Sequence, residues 1–155
     1  MNHAYEYFKA QNLVDRVKVF DVSSATVELA AQAIGCEPER IAKTLSFLLN
    51  DHAILIVAAG DAKVDNAKYK AQFMTKAKML SADQVESLVG HMIGGVCPFA
   101  VKPGVEVYLD ISLKRFQTVF AACGSPNSVV ELSIDELERH SGFLQWVDVC
   151  KAWLS

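Results

Sequence analysis

Two apolar runs, Lys43–Leu49 (KTLSFLL) and Ala53–Ala59 (AILIVAA), flank the polar triplet Asn50-Asp51-His52. This stretch constrains the chain more than any other. Runs of this length and composition, joined by a short polar turn, read as an antiparallel β-hairpin. The second run is apolar on both faces, so it belongs in the middle of a sheet with other elements covering it. In the first run alternate residues share a face, which sets Lys43 in phase with Leu45, Phe47 and Leu49. An ammonium group beginning an apolar face is uncommon, because lysine is seldom buried without a partner. It either marks the rim of a pocket or snorkels into water.

Helix and strand signals surround the hairpin. Residues 3–14 read as a helix anchored by Tyr5, Phe8 and Leu13, followed by a strand, Val17–Val22. Ser24 is placed to cap a helix through Thr26–Ile34, which Gly35 ends; Cys36–Ile41, with Pro38, reads as a single helical turn or loop. Asp65 caps a helix over Asn66–Phe73. Capping boxes at Ser81–Gln84 and Ser133–Glu136 open helices ending near Gly90 and at His140. Val105–Asp110, Val119–Ala122, Val129–Leu132 and Phe143–Val149 are strand candidates, with a short helix near Ser112–Phe116. Strands cluster and helices do not alternate strictly with them, which predicts an α+β fold, not a doubly wound parallel one. The expected architecture is a mixed, mostly antiparallel sheet or partial barrel flanked by helices. With 155 residues and no repeat or linker, residues 1–155 are expected to form a single domain.

Composition excludes several function classes. At 52% hydrophobic and 21% charged, the chain is too apolar for disorder. A net charge of -3 argues against coating DNA or RNA by charge alone. Cys36, Cys97, Cys123 and Cys150 form no C-x-x-C pair, and the four histidines lack metal-ligand spacing, so no metal or cofactor is expected. The charged N-terminus is unlike a signal peptide, and no apolar run approaches the ~20 residues of a membrane span. A cytoplasmic location without membrane partners is the expectation.

Three further segments could carry chemistry. The loop Gly94-Gly95-Val96-Cys97-Pro98-Phe99 lets the backbone approach a ligand, and its amides could face a developing oxyanion; a plain turn is the alternative. Within it, Cys97 invites a nucleophilic reading with His91, which would require spatial adjacency and a lowered thiol pKa. Between residues 63 and 78 five lysines, including Lys63, Lys68 and Lys70, face only Asp65, so this window is +4 and the remainder -7. Such a patch either grips phosphates or is a solvated helix face. Gly124-Ser125-Pro126-Asn127-Ser128 reads as a turn whose Asn127 and Ser128 offer an amide and a hydroxyl.

Lys-Thr-Leu at Lys43–Leu45, GDAKVD at Gly60–Asp65, GGVCPFAVK at Gly94–Lys102 and GSPNSVVEL at Gly124–Leu132 occur in an order that resembles the YbaK/EbsC proteins. These are free-standing relatives of the editing domain of bacterial prolyl-tRNA synthetase. The most specific match is a G-x-x-x-P loop, here Gly94 and Pro98, together with Lys43. The resemblance spans roughly Val17 to Val149. It implies a trans-acting deacylase that hydrolyses the ester of mischarged tRNA, with tRNA for proline carrying Ala, Cys, Ser or Thr among the substrates. Prolyl-tRNA synthetase is a possible partner. Such hydrolysis is needed because a synthetase pocket separates amino acids differing by one methylene by only ~1–3 kcal/mol.

Carried over residue by residue, the likeness implies that Lys43, Gly94 and Gly95 act on the ester. Phe20, Thr26, Val96, Cys97, Pro98, Asn127 and Ser128 would border the amino-acid pocket, and Lys63, Lys68 and Lys70 would contact tRNA. Two departures stand out. Cys97 occupies a position where relatives often have a small hydroxyl residue. The 124–128 turn differs from the G-K-R-G of cysteinyl-specific members and resembles the Asn-containing turn of the alanyl-specific branch, without its neighbouring histidine. A non-catalytic binding module with the same pocket, and a thiol esterase using Cys97, are the competing readings.

Overall fold

The computed structural model describes residues 2–153. Its hairpin is β2 (Ile41–Leu49) and β3 (His52–Ala59), paired antiparallel from Ala42↔Ala59 to Leu49↔His52 around a two-residue turn at Asn50-Asp51. Asn50 adopts φ 52°, which a short polar residue tolerates in such a turn. As its composition requires, β3 is buried along Ala53–Ala59 on both faces.

Around it lie β1 (Val17–Val19), β5 (Glu106–Asp110), β6 (Thr118–Ala122), β7 (Ser128–Ser133) and β8 (Gln145–Val147). The seven strands run in the order β1-β7-β6-β2-β3-β5-β8. The β1–β7, β7–β6 and β2–β3 pairings are antiparallel; β6–β2, β3–β5 and β5–β8 are parallel. The longest ladders are antiparallel, and the sheet is open. A two-stranded ribbon joins β4 (Lys63–Val64) to β9 (Cys150–Lys151).

Each face of the sheet carries its own core. On one, Leu55, Val57, Leu109 and Leu132 pack with Phe99, Phe8 of α1 (His3–Ala10) and Leu137 of α5 (Ile134–Ser141). On the other, Phe47, Ile54 and Ile56 meet Tyr69 of α3 (Asn66–Phe73), with Val149 and Cys150. The buried Asp110 carboxylate ties the end of β5 to the chain, accepting from the amides of Ser112 (2.9 Å) and Val149 (3.0 Å).

Several boundaries differ from the sequence expectation. Helix α2 (Val27–Ile34) is capped by Thr26, whose hydroxyl accepts from the Leu29 amide; Ser24 instead bonds the Pro126 carbonyl through its own amide at 2.7 Å. The first strand stops at Val19, because the following residues leave the sheet to bond the 126–127 turn. The strand expected over Phe143–Val149 is β8, which spans only Gln145–Val147, since the Val149 amide donates to Asp110. The capping box at Ser81 opens α4 (Ala82–Gln84), which widens into a π-type turn over Val85–Val89 before Gly90. Among the described residues, no helix is long and apolar enough to cross a membrane.

Candidate active site

The cleft arises from an interrupted pairing. Strand β6 meets β2 only at Ile41↔Phe120 and Ala42↔Ala121; farther along, β2 is bonded by the 78–80 segment instead, with Leu48 donating to Lys78 O at 2.8 Å. Between the parted strands opens a cleft of about 370 Å³, near the lower end of small-molecule sites (roughly 300–1,000 Å³). Thr44 and Ser46 of β2 form its floor, with Ala42, Ala122 and Val129. Thr26, Val27 and Ala30 of α2 with its cap close one side, and Ile93, Gly94 and Val96 close another. Lys43 stands at its edge.

Lys43 is half-buried, and its ammonium donates to the carbonyls of Ala62 and Gly60 (3.4 Å to the latter). Burial pulls its pKa below the ordinary lysine value, opposed by Cys150 and Asp61. The turn supplying those carbonyls is fixed from two sides. A Cβ on Gly60 would lie 2.0 Å from the Pro38 carbonyl oxygen, so only glycine fits there. The Arg115 guanidinium grips Asp61 with two bonds, at 2.6 and 3.0 Å, a fork geometry that suits a planar carboxylate. An ammonium has three donors, and two carbonyls leave one for a ligand.

The glycine loop packs against the 124–126 turn. Gly94 takes φ 88°, and a Cβ on Gly95 would meet Ser125 N at 2.3 Å and Gly124 C at 2.4 Å. Gly95 also uses both its backbone groups, donating to Met92 O and accepting from Gly124 N, each at 3.1 Å. The amides of Gly94 and Val96 make no hydrogen bond among the described residues, and both residues line the cleft. The donors available to an incoming oxygen are therefore those flanking Gly95, not Gly95 itself.

Other candidates fall around the cleft without lining it. Phe20 and Asn127 hold each other: the Phe20 amide donates to Asn127 O at 2.8 Å, and Asn127 Nδ2 donates to Phe20 O at 3.0 Å. The buried Ser128 hydroxyl bonds Ser125 Oγ and Cys123 O. These residues shape the wall in which Ser24 and Ala25 face the cleft. Pro98 is buried behind the loop. Cys97 is fully buried, with its Sγ 3.5 Å from His91 Nε2, so the adjacency exists. It is not reactive geometry: burial pushes the thiol up and lowers His91, keeping both neutral, and Cys97 lies outside the cleft lining.

The lysines divide. Lys68 is engaged by Asp148 (3.0 Å) and the Cys150 carbonyl (3.1 Å), pinning α3 to the chain's end. Lys63 and Lys70 are exposed, and Lys63 lines a shallow groove with Val64, Asn66, Ala77 and Met79 that reaches the cleft edge at Lys43 and Leu45. Among the described residues no group of three or more His, Cys, Asp or Glu side chains is placed to hold a metal ion. Sequence alone gives Thr44 no role beyond its place in the Lys-Thr-Leu match and does not mark Ser46; the local signal they share is a small polar pair on the face of β2 opposite Lys43, Leu45 and Phe47.

Residues 21–140 match the family model described as the aminoacyl-tRNA editing domain. A Bacillus subtilis protein, the uncharacterized YwhH, is 55% identical over 148 residues, covering 95% of this chain and 94% of that one. The proline–tRNA ligase of Halalkalibacterium halodurans is 27% identical over 117 residues; the match takes in 75% of this chain but 20% of the ligase. A solved structure provisionally described as a trans-editing enzyme for prolyl-tRNA synthetase superposes with a TM-score of 0.85 at 26% identity, covering 96% of this chain and 95% of that one. That of the hypothetical protein APE2540 gives 0.84 at 28%, covering 96% and 99%. By the span of this match and by the fold, the chain belongs to the aminoacyl-tRNA editing domain family.

Proposed function

We propose that this protein is a trans-acting aminoacyl-tRNA deacylase that hydrolyses the ester of mischarged tRNA for proline. The observation that carries the reading is the meeting of Lys43 with the unpaired Gly94 and Val96 amides at one small cleft in a chain of the editing family. Similarity to part of proline–tRNA ligases supports tRNA for proline, and prolyl-tRNA synthetase as the partner that releases it. Alanine, cysteine, serine and threonine are the candidate aminoacyl groups, and cytoplasm is the compartment where such a substrate is made.

In this scheme the aminoacyl group enters the cleft and its carbonyl oxygen faces the Gly94 and Val96 amides. Lys43, tethered by the Ala62 and Gly60 carbonyls, offers its remaining donor to the terminal ribose or phosphate. Water, or a nucleophilic group of the substrate, attacks the carbonyl carbon. Charge collects on the carbonyl oxygen, where two fixed amides stabilise it. The ester C–O bond then breaks, and the departing ribose oxygen takes up a proton. No protein nucleophile takes part, in keeping with the burial of Cys97. Lys63 and Lys70 supply exposed charge for the tRNA backbone.

A panel of mischarged tRNAs assayed with wild type and Lys43→Ala tests this. Hydrolysis by wild type with a loss of at least about a hundredfold in the variant, the scale expected when a reacting group is mispositioned, supports it. Full activity in Lys43→Ala refutes the role of the lysine. Binding without turnover of any substrate would assign the cleft to a ligand-sensing module.

A further inference from the structure

We infer that Thr44 and Ser46 read a hydroxyl on the substrate, so that the group removed is a small β-hydroxy amino acid, serine or threonine; this rests on the deacylase reading above. The two residues alternate on β2 and share the face forming the cleft floor. Ser46 is only 8% exposed, and its hydroxyl has no hydrogen-bond partner among the described residues. The Thr44 Oγ1 is buried and likewise unpartnered. The other two hydroxyl residues of the lining are engaged: Thr26 accepts from the Leu29 amide at 3.1 Å, and Ser24 donates to Pro126 O at 3.5 Å. Buried hydroxyls are nearly always paired in folded proteins, so the unpaired Thr44 Oγ1, two residues from a Ser46 hydroxyl that no protein group engages, marks where a ligand completes the site.

The remaining lining limits size and charge. Ala30, Ala42 and Ala122 leave room for a short side chain, and no Asp or Glu lines the cleft to pair with a cationic one. With the ester carbonyl at the Gly94 and Val96 amides, the side chain is directed toward the strand floor. A site built to bond a substrate hydroxyl discriminates strongly against the analogue lacking it, because its own polar groups are then left unpaired. Alanine is that analogue. Cysteine, a weak hydrogen-bonding thiol, falls between.

The experiment measures kcat/KM on seryl-, threonyl-, cysteinyl- and alanyl-tRNA for proline with wild type, Thr44→Val, Thr44→Ser and Ser46→Ala. Thermal denaturation verifies that each variant folds. Wild type should favour seryl over alanyl by at least about tenfold. Thr44→Val and Ser46→Ala should each lower that ratio about tenfold, and Thr44→Ser should keep it. A wild-type preference for alanyl, or variants that slow both substrates in step, overturns the inference; the second pattern would mean the hydroxyls serve the shared α-amino group or packing. Should Thr44→Val not fold, Ser46→Ala decides. A wild type inactive on the whole panel removes the deacylase reading itself and this inference with it, unlike a wild type active on alanyl alone.

Discussion

Replacing Gly95 with alanine separates two roles that a glycine loop can play. The substitution keeps the backbone amide, so any loss cannot come from a missing donor. It adds a Cβ that would sit 2.3 Å from Ser125 N and 2.4 Å from Gly124 C, both backbone atoms that cannot rotate aside. Ordinary contact begins near 3.4 Å, so the 94–96 loop must retreat from the 124–126 turn by about 1 Å, a displacement able to cost about a hundredfold in rate. The Gly124 N to Gly95 O bond at 3.1 Å stretches with it. Overpacking of this kind costs about 1–3 kcal/mol. At roughly 2–4 °C per kcal/mol for a chain of this size, the melting temperature should fall by roughly 2–12 °C. Gly94→Ala is the comparison: it bears a left-handed φ of 88°, but its nearest contacts are side-chain carbons of Pro126 and Ala25, at 3.1 and 3.2 Å, with Pro126 Cα at an ordinary 3.7 Å. Its backbone strain of about 1–2 kcal/mol should cost less rate than stability. Circular dichroism melts and single-turnover deacylation measure both variants. A Gly95→Ala protein that melts with wild type and keeps its rate would refute the packing argument.

Three more outcomes follow from the same geometry. The Lys43 ammonium should titrate below the ordinary lysine value of 10.5 in an NMR experiment, since burial lowers it. Because the unfolded chain then holds the proton more tightly, stability should rise with pH between the folded pKa and 10.5, and Lys43→Met should flatten that rise. Native protein should expose at most one fast-reacting thiol, Cys36, with four reacting in denaturant; a second fast thiol accompanied by loss of activity would restore Cys97 as a nucleophile. Lys63→Ala and Lys70→Ala should each reduce the slope of log affinity for tRNA against log salt by about 0.7–0.9. Lys68→Ala should instead lower the melting temperature, because Asp148 and the Cys150 carbonyl already occupy it; equal slope changes for all three would contradict that division.

What the sequence disclosed was mostly local. Asp65, Ser81 and Ser133 announce their helices because a cap acts within three residues, and the hairpin announces itself because its turn is two residues long. The parallel pairings of β6 with β2 and of β8 with β5 join segments far apart in the chain, and no local pattern encodes them. The cleft depends on the first of these, which is why its floor was not visible in advance. Lys43 stands out as a charge in phase with apolar neighbours, whereas only the folded sheet gives the face of Thr44 and Ser46 a cavity. Gly95 was recognisable as a glycine the backbone needs. That its amide is spoken for, leaving Gly94 and Val96 as donors, depends on Met92 and Gly124, whose positions only the folded loop reveals.

The two-residue contact between β2 and β6 has a mechanical meaning. It makes the seven strands two sub-sheets, β1-β7-β6 and β2-β3-β5-β8, sewn together by Ile41↔Phe120 and Ala42↔Ala121. Cooperative units of a fold part most easily where few backbone bonds cross, so amides along this seam should exchange with deuterium before those of the β2–β3 ladder. The cleft sits at the open end of that seam, so its width depends on how firmly the two sub-sheets are joined. Mutations that lengthen the β6–β2 pairing should stiffen the joint and narrow the cleft, making the length of a strand ladder a determinant of cavity size.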